Sequence, residues 1–233
     1  MNQTKTIFKN MSWLMVSQII ASICAFVWTI LIARYLGVNE YGILGFAISI
    51  TTILSLTLDL GIGTYIVRHI ATNYDSAPKH LGNMIPLKII FSIGSFFLML
   101  IILIIMKSDE LTITITLLFT IEMMFKSYVG LFNGVFQAFE KGEYQGIGNI
   151  ILNLILLAFI LISIFTNLGI YGISFSYILA NLITLFYTSY VLNKHVTKPK
   201  LELDKKFCKK LFFCHFLLQL REYYLPFITP LMQ

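Results

Sequence analysis

Apolar residues fall into six long runs that predict six membrane-spanning helices. The runs cover about residues 13–33, 41–67, 86–106, 111–132, 148–165 and 170–192. Each is near the ~20 residues that a helix needs to cross a bilayer while satisfying its own backbone polar groups. We expect the second helix to kink or unwind near Gly61 and Gly63. We expect the third to start at Pro86, which suits a first helical turn.

The composition excludes a soluble globular domain. The chain is 58% hydrophobic and only 12% charged, whereas soluble domains carry roughly 25% charged residues. The formal charge of +6 does not indicate nucleic acid, because the basic residues flank apolar runs instead of alternating with aromatic residues. The first run is too long for a cleavable signal peptide and lacks a small-residue cleavage site, so we expect it to remain as an anchor.

The positions of Lys and Arg predict the orientation. With the N-terminus in the cytoplasm, the outer gaps hold only Arg34 and Lys107. The cytoplasmic gaps hold Lys5, Lys9, Arg68, Lys79, Lys88, Lys141 and the seven lysines of residues 194–210. The positive-inside rule therefore predicts a multi-pass protein of the plasma membrane with a cytoplasmic N-terminus.

Asp59 is an acidic residue near the end of the second predicted helix. A carboxylate inside a membrane is costly and often marks a functional site. The alternative is that Asp59 lies at the cytoplasmic interface, where it pairs with Arg68 or caps a broken helix. The sequence leaves both interpretations open.

Glu122 and Lys126 lie four residues apart in the fourth predicted helix and therefore share one face. They form either an internal salt bridge or the charged lining of a cavity that meets a phosphate or an acidic sugar. Asn133 and Gln137 continue roughly the same stripe toward the cytoplasm. We expect Asn149, Asn153 and Asn181 to act chiefly as hydrogen-bond clamps between helices.

The chain shows no pattern for a metal, a nucleotide or another cofactor. His69 and His80 have no third ligand nearby in the sequence, and the three cysteines make no metal-type pair. Residues 61–63 lack the Lys and the preceding strand of a phosphate-binding loop, so ATP is not expected. No carboxylate or His cluster converges as an intramembrane enzyme would require, and we expect a non-enzyme that draws on an ion, potential or substrate gradient.

Four short segments resemble the polysaccharide flippase branch of the multidrug/oligosaccharidyl-lipid/polysaccharide (MOP) exporter superfamily. They are Ala-Arg-Tyr-Leu-Gly at residues 33–37 with Glu-Tyr-Gly at 40–42, Asp-Leu-Gly at 59–61 with Arg68 and Ala71, Asn-Gly-Val-Phe-Gln-Ala-Phe-Glu at 133–140 with Glu-Tyr at 143–144, and Asn-Leu-Gly-Ile-Tyr-Gly at 167–172. Each is short, but their order and places in the topology match. The resemblance covers about residues 5–212.

The resemblance implies an all-α membrane fold in which six helices form one lobe of a two-lobe, MATE-like transporter around a central cavity. Such proteins move a lipid-linked oligosaccharide to the outer leaflet by alternating access, with membrane lipids and polysaccharide assembly enzymes as further partners. By this analogy the cavity residues are Arg34, near the outer mouth, with Asp59, Arg68, Glu122, Lys126, Asn133 and Gln137. The cations would meet the lipid pyrophosphate, and the two amides would meet sugar hydroxyls.

The chain departs from the family after the first lobe. We divide it into a six-helix lobe at residues 1–192, a basic cytoplasmic tail at 193–212 and an aberrant segment at 213–233. Read one base earlier with a chosen codon set, residues 213–233 become similar to a seventh family helix, so we expect a one-base lesion near the codon of Phe213. Transport would then require a second lobe or a homodimer.

The sequence leaves alternative functions open. A cation-coupled multidrug exporter of the same superfamily would want an acidic, aromatic cavity, and the pairing of Glu122 with Lys126 argues mildly against it. A non-transporting fragment and a self-assembling dimer are the others.

Overall fold

The computed structural model describes residues 3–59 and 62–199, and all regular structure in these ranges is helical. The helices are α1 (Gln3–Asp59), α2 (Ile62–Thr72), α3 (Ala77–Ile105), α4 (Glu110–Ala138), α5 (Gly142–Phe165) and α6 (Gly169–His195), with a short 3₁₀ turn at Tyr74–Ser76. Five helical stretches of the described chain are long and apolar enough to cross a membrane. The all-α membrane fold is thus confirmed. The aberrant segment at 213–233 and most of the basic tail lie outside the described residues.

α1 is divided into two arms at Gly37. Its 57 residues would make a rod of about 85 Å, nearly three times the hydrocarbon thickness of a bilayer. Gly37 interrupts the helical geometry with φ 70° and ψ −177°, a backbone region that essentially only glycine occupies. The first two predicted helices are therefore joined without a loop. Gly37 alone makes the turn between them.

The second arm of α1 runs back alongside α4. Leu44 and Ala47 share an apolar cluster with Ile115 and Phe119, near the start of α4. Thr51 and Ser55 line a cleft with residues in the middle of α4. In α2, Ile66 and Ile70 pack with Val135 and Phe136, near the end of α4. Later residues of the second arm and of α2 thus contact later residues of α4. The second arm therefore runs parallel to α4, and the chain reverses direction at Gly37. The kink expected near Gly61 falls outside the described residues.

The prediction that the third helix starts at Pro86 is wrong. α3 begins at Ala77, with Pro78 in its first turn and Pro86 in its interior. A proline inside a helix costs about 3 kcal/mol or more. Burial of the first turns offsets this cost, since Leu81 and Met84 are fully buried in the cluster that contains α2 and the end of α4. The other helices also extend beyond the predicted bounds at one end or both. Arg68 lies on α2 instead of in a loop.

The bundle has two distinct ends. At one end Lys9 of α1 pairs with Glu143 of α5 at 2.6 Å, and Nζ of Lys141 donates to the carbonyl of His195 at 2.5 Å. We call this the basic end. The exposed Lys79, in the first turn of α3, and the exposed Lys194, in the last turn of α6, also lie there. At the opposite end, the far end, the backbone N–H of Gly169 donates to Oη of Tyr35 at 2.9 Å.

Much of the outer surface is apolar. α3 carries a stripe of exposed side chains that includes Ile90, Ile93, Phe97 and Ile104. Such a surface would be unfavourable in water, and hydrocarbon solvates it at no cost. The inward faces are closely packed in places: a Cβ added at Gly146 of α5 would lie 3.1 Å from the carbonyl oxygen of Trp13. Gly146 therefore lets α5 approach the first arm of α1.

Candidate functional site

A small cleft between the second arm of α1 and α4 is lined by two charged residues, Glu122 and Lys126. It has a volume of about 100 Å³ and is lined by Thr51, Thr52, Ser55, Glu122, Met123, Lys126 and Ser127. We call it the charged cleft. Glu122 follows Glu110 by 12 residues and precedes Ala138 by 16 in α4, or about 18 and 24 Å along the helix axis. The cleft therefore lies near mid-helix, where a charge is most costly in a membrane.

Glu122 is buried and bonded to a neighbouring helix. Its side chain is 8% exposed, and its Oε1 accepts a hydrogen bond of 2.8 Å from Nδ2 of Asn181 in α6. Lys126 is exposed at the cleft surface. The hydrogen bond that Glu122 accepts thus comes from an amide and not from an ammonium group. Glu122 and Lys126 thus line the same cleft without forming a contact salt bridge.

Lys88 is a second cation beside the cleft, and sequence reasoning misplaced it. The pattern of apolar runs assigns it to a cytoplasmic gap, but it lies in α3 and is 1% exposed. Its Nζ donates to the carbonyl oxygen of Ser127 at 2.8 Å and to the Ser127 hydroxyl at 2.6 Å. The error follows from starting the third helix too late. A Lys within an apolar run, two residues after Pro86, is the signal that could have identified it.

The charges and hydroxyls of the cleft favour an oxyanion. Among the described lining residues, Lys126 is exposed and Glu122 is buried, so the accessible charge is positive. The hydroxyls of Thr51 and Thr52 donate to carbonyls of their own helix at 2.7 Å each, and both groups can rotate toward a ligand. Ammonium groups bind phosphate oxygens through charge-assisted hydrogen bonds, which are stronger than neutral ones.

A larger groove lies nearer the basic end, among the first arm of α1, α4, α5 and α6. Its volume is about 530 Å³, and it is lined by Leu14, Met15, Ser17, Gln18, Val129, Asn133, Gln145, Gly148, Asn149, Leu152, Thr184 and Thr188. We call it the amide groove. Asn133, predicted from the sequence, lies in its wall. Gln137 is exposed, and its Nε2 donates to Oε1 of the lining residue Gln145 at 3.0 Å.

The remaining predicted residues are not brought to either site. Arg34 is exposed on α1, three residues before Gly37 and therefore at the far end. Arg68 is exposed on α2. Asp59 is the last residue of α1, and its side chain falls outside the described part of the chain. The structure thus unites Glu122 with Lys126, places Asn133 and Gln137 along the groove, and leaves Arg34 and Arg68 at the two ends.

The three asparagines differ in the bonds they make. Asn181 links α6 to α4 through Glu122, as expected of a clamp between helices. Nδ2 of Asn153 instead donates to the carbonyl and the side-chain oxygen of Asn149, at 2.7 and 3.1 Å within α5. The rings of His69 and His80 lie 6.2 Å apart, and the described residues contain no group of three metal-ligating side chains around them.

Several residues of the short sequence segments make the turns of the bundle. Backbone φ is positive at Gly37 (70°), Glu140 (54°), Asn167 (53°) and Gly169 (61°), each at a helix break or between two helices. The bond from the Gly169 N–H to Tyr35 joins the first of these segments to the last. These residues therefore have a structural role at the bundle ends, away from both sites.

Comparison with known proteins gives a family and a fold. A family model described as "Polysaccharide biosynthesis protein" matches residues 7–231. No curated protein matches the chain. Among solved structures, an outward-facing multidrug resistance MATE family transporter of the MOP superfamily matches at 16% identity with a TM-score of 0.71, covering 91% of this chain and 52% of that one. A crystal structure of a MATE mutant matches at 15% identity with a TM-score of 0.58, covering 91% and 53%. The chain spans about half the length of these structures.

Proposed function

Since the chain belongs to the family of polysaccharide biosynthesis proteins, we propose that it moves a lipid-linked oligosaccharide from the inner to the outer leaflet of the plasma membrane. The MATE-like helical fold supports this proposal, because it is a transporter fold. The glycan would then serve cell-surface polysaccharide synthesis, with polysaccharide assembly enzymes as further partners.

The charged cleft is the observation that carries the proposal. A lipid-linked sugar crosses the membrane with a phosphate or pyrophosphate that must be neutralised at mid-membrane. In our proposal Lys126 is the first ammonium to meet it, because it is exposed at the cleft. Lys88 holds Ser127 in the wall of the cleft through two hydrogen bonds. Hydrogen bonding to Asn181 keeps Glu122 turned toward α6, away from the anion.

The proposed arrangement counts the two arms of α1 as two spans, which gives six. The basic end would face the cytoplasm, where positive residues accumulate. This chain supplies one wall of the cavity, and a second lobe or a second copy supplies the other. Arg34 and Arg68 then lie at the outer and inner mouths, where they would meet the anion before or after the cleft.

A cation-coupled multidrug exporter is the alternative within the superfamily. It would need a carboxylate presented to the substrate. Glu122 is 8% exposed, whereas Lys126 is exposed beside it. The accessible charge in the cleft is therefore positive, which favours an anionic substrate.

Two measurements test the proposal. Purified protein in detergent should bind a lipid pyrophosphate-linked sugar in native mass spectrometry, and Lys126→Ala should weaken binding about tenfold, as expected for loss of a charge-assisted hydrogen bond. Lys107→Ala, which removes an exposed lysine outside the cleft, is the matched control. Leaflet-specific labelling of lipid-linked glycans in cells with and without the gene tests transport. Equal labelling of the outer leaflet in both strains would contradict it.

A further inference from the structure

We propose that the amide groove binds uncharged sugar units, so that it selects neutral glycans over acidic ones. This inference rests on the proposed function, which assigns the phosphate to the charged cleft, and it adds a separate site with its own chemistry. The volume of about 530 Å³ lies within the roughly 300–1,000 Å³ typical of small-molecule sites.

The polar groups of the groove match a sugar hydroxyl, which both donates and accepts. Four side-chain amides line it, those of Gln18, Asn133, Gln145 and Asn149, and each amide supplies two N–H donors and a carbonyl acceptor. The hydroxyls of Thr184 and Thr188 donate to carbonyls of α6 at 2.8 and 2.9 Å. Their oxygen atoms remain able to accept hydrogen bonds.

Asn133 contributes an acceptor that the protein does not use. Its Oδ1 is buried, and within the described residues it has no hydrogen-bond partner. Burying such an atom without a partner is costly, so each instance needs an explanation. A ligand hydroxyl that donates to Oδ1, once the Asn133 side chain turns this atom toward the groove, would supply one.

The charge of the lining favours a neutral sugar. The described residues that form the groove include no Asp, Glu, Lys or Arg. A uronic acid placed there would bury a carboxylate without a cation, which is expensive in a low-dielectric region. A hydroxyl or acetamido group needs only hydrogen bonds, and the apolar Leu14, Val129 and Leu152 supply surface for the faces of the ring.

The groove lies where the sugar of a bound lipid would be. Lys126 and Asn133 are seven residues apart on α4, so they share one face and are separated by about 10 Å along the axis. A phosphate at the charged cleft would thus direct its attached glycan along α4 toward the basic end. The sugar would lie on the side from which we propose loading.

Saturation-transfer NMR on the purified protein in detergent micelles tests the inference. The probes are the methyl glycoside of diacetylchitobiose, which is neutral, and a disaccharide of the same size that contains glucuronic acid. We expect the neutral probe to bind at least tenfold more tightly. Asn133→Leu and Gln18→Leu should each weaken it about fivefold, as for loss of one neutral hydrogen bond. Asn193→Leu, at an exposed position near the end of α6, should have no effect.

Folding and the proposed function are controlled separately. Asn133→Leu removes an amide oxygen that bonds nothing in the described structure, and Gln18 is exposed, so both variants should keep the parental melting temperature. Geranyl pyrophosphate is the second probe, and its binding should depend on Lys126 but not on Asn133. If it binds in this way while the sugar shows no transfer, or if the uronate binds equally well, the groove inference is overturned and the proposed function stands. If only the sugar binds, the groove stands and the role of the cleft is overturned.

Discussion

The side-chain amide of Asn181 donates a 2.8 Å hydrogen bond to Oε1 of Glu122, joining α6 to the middle of α4. Both residues are buried. The bond gives a carboxylate inside the bundle a donor that does not depend on Lys126. It also leaves the Lys126 ammonium available to a ligand, which is the basis of the proposed phosphate site.

We expect Asn181→Leu to lower the free energy of unfolding by about 2 kcal/mol, because it leaves the Glu122 carboxyl buried without its donor. Glu122→Gln should cost less, since the amide oxygen of Gln still accepts from Asn181 and no charge is buried. SDS titration or steric trapping in detergent measures both variants. Equal stability of Asn181→Leu and the parent protein would show that the bond contributes nothing.

Water should reach Lys126 but not Lys88. In a background with Cys24, Cys208 and Cys214 replaced by Ser, Lys126→Cys should react with a charged thiosulfonate reagent at least ten times faster than Lys88→Cys. The reason is that Lys126 is exposed at the cleft while Lys88 is 1% exposed.

Ile93→Cys is the matched control for this labelling. Ile93 is 53% exposed on the outer face of α3, and we expect that face to contact lipid, so its thiol should react slowly despite its exposure. Fast reaction of both Ile93→Cys and Lys126→Cys would mean that the labelling rate reports surface exposure in the micelle. It would then give no support to a hydrated cleft.

Gly37→Ala should destabilise the fold by about 1–3 kcal/mol, because φ of 70° with ψ of −177° is strained for any residue with a Cβ. Gly45→Ala in the second arm is the control. Gly45 is helical with open space around it, so alanine should stabilise by up to about 1 kcal/mol through helix propensity. The unfolding free energies of the two variants should therefore change with opposite signs.

The N-cap of α4 should make stability depend on pH. The Thr112 hydroxyl and the Thr112 backbone N–H both donate to the Asp109 carboxylate. These bonds, the hydroxyl's the larger contribution, hold the pKa of that carboxyl below its ordinary value of 3.8. A lowered folded-state pKa means that the stabilisation is fully present above pH 3.8 and is lost as pH falls through the folded value. Asp109→Asn keeps a capping oxygen without the titration, so its unfolding free energy should fall less than that of the parent between pH 5 and pH 2.

The helices could be predicted from the sequence because lipid demands long apolar segments. The cores of five predicted helices each lie within one observed helix, and the second, at 41–67, is divided between α1 and α2. Their ends could not. Residues 77–85 carry Lys79 and His80 and are less apolar than the run that follows, yet packing of Leu81 and Met84 against α2 makes them helical. The local amino-acid composition cannot predict that contact between helices.

The site could be predicted in part for a similar reason. Glu122 and Lys126 stand out because a charge in an apolar run is conspicuous. The apolar pattern does not identify Lys88 as an interior residue, because it places the start of the third helix, and thus the membrane boundary, close to Lys88. The amide groove joins residues from four segments, from Gln18 to Thr188, and spacing within one helix predicts no such assembly. Of its lining residues, only Asn133, on the stripe of α4, was predicted to bind substrate.

The packing of α1 against α5 sets an order of events during synthesis. The contacts of Lys9 with Glu143 and of Trp13 with Gly146 can form only after more than 130 further residues have been synthesised. At about 5–20 residues per second, this delay lasts on the order of 7–27 s. For that time the first arm must wait in the bilayer or the insertion machinery without its permanent neighbour. Slowed translation between α1 and α5 would prolong the exposure of its inner face to degradation.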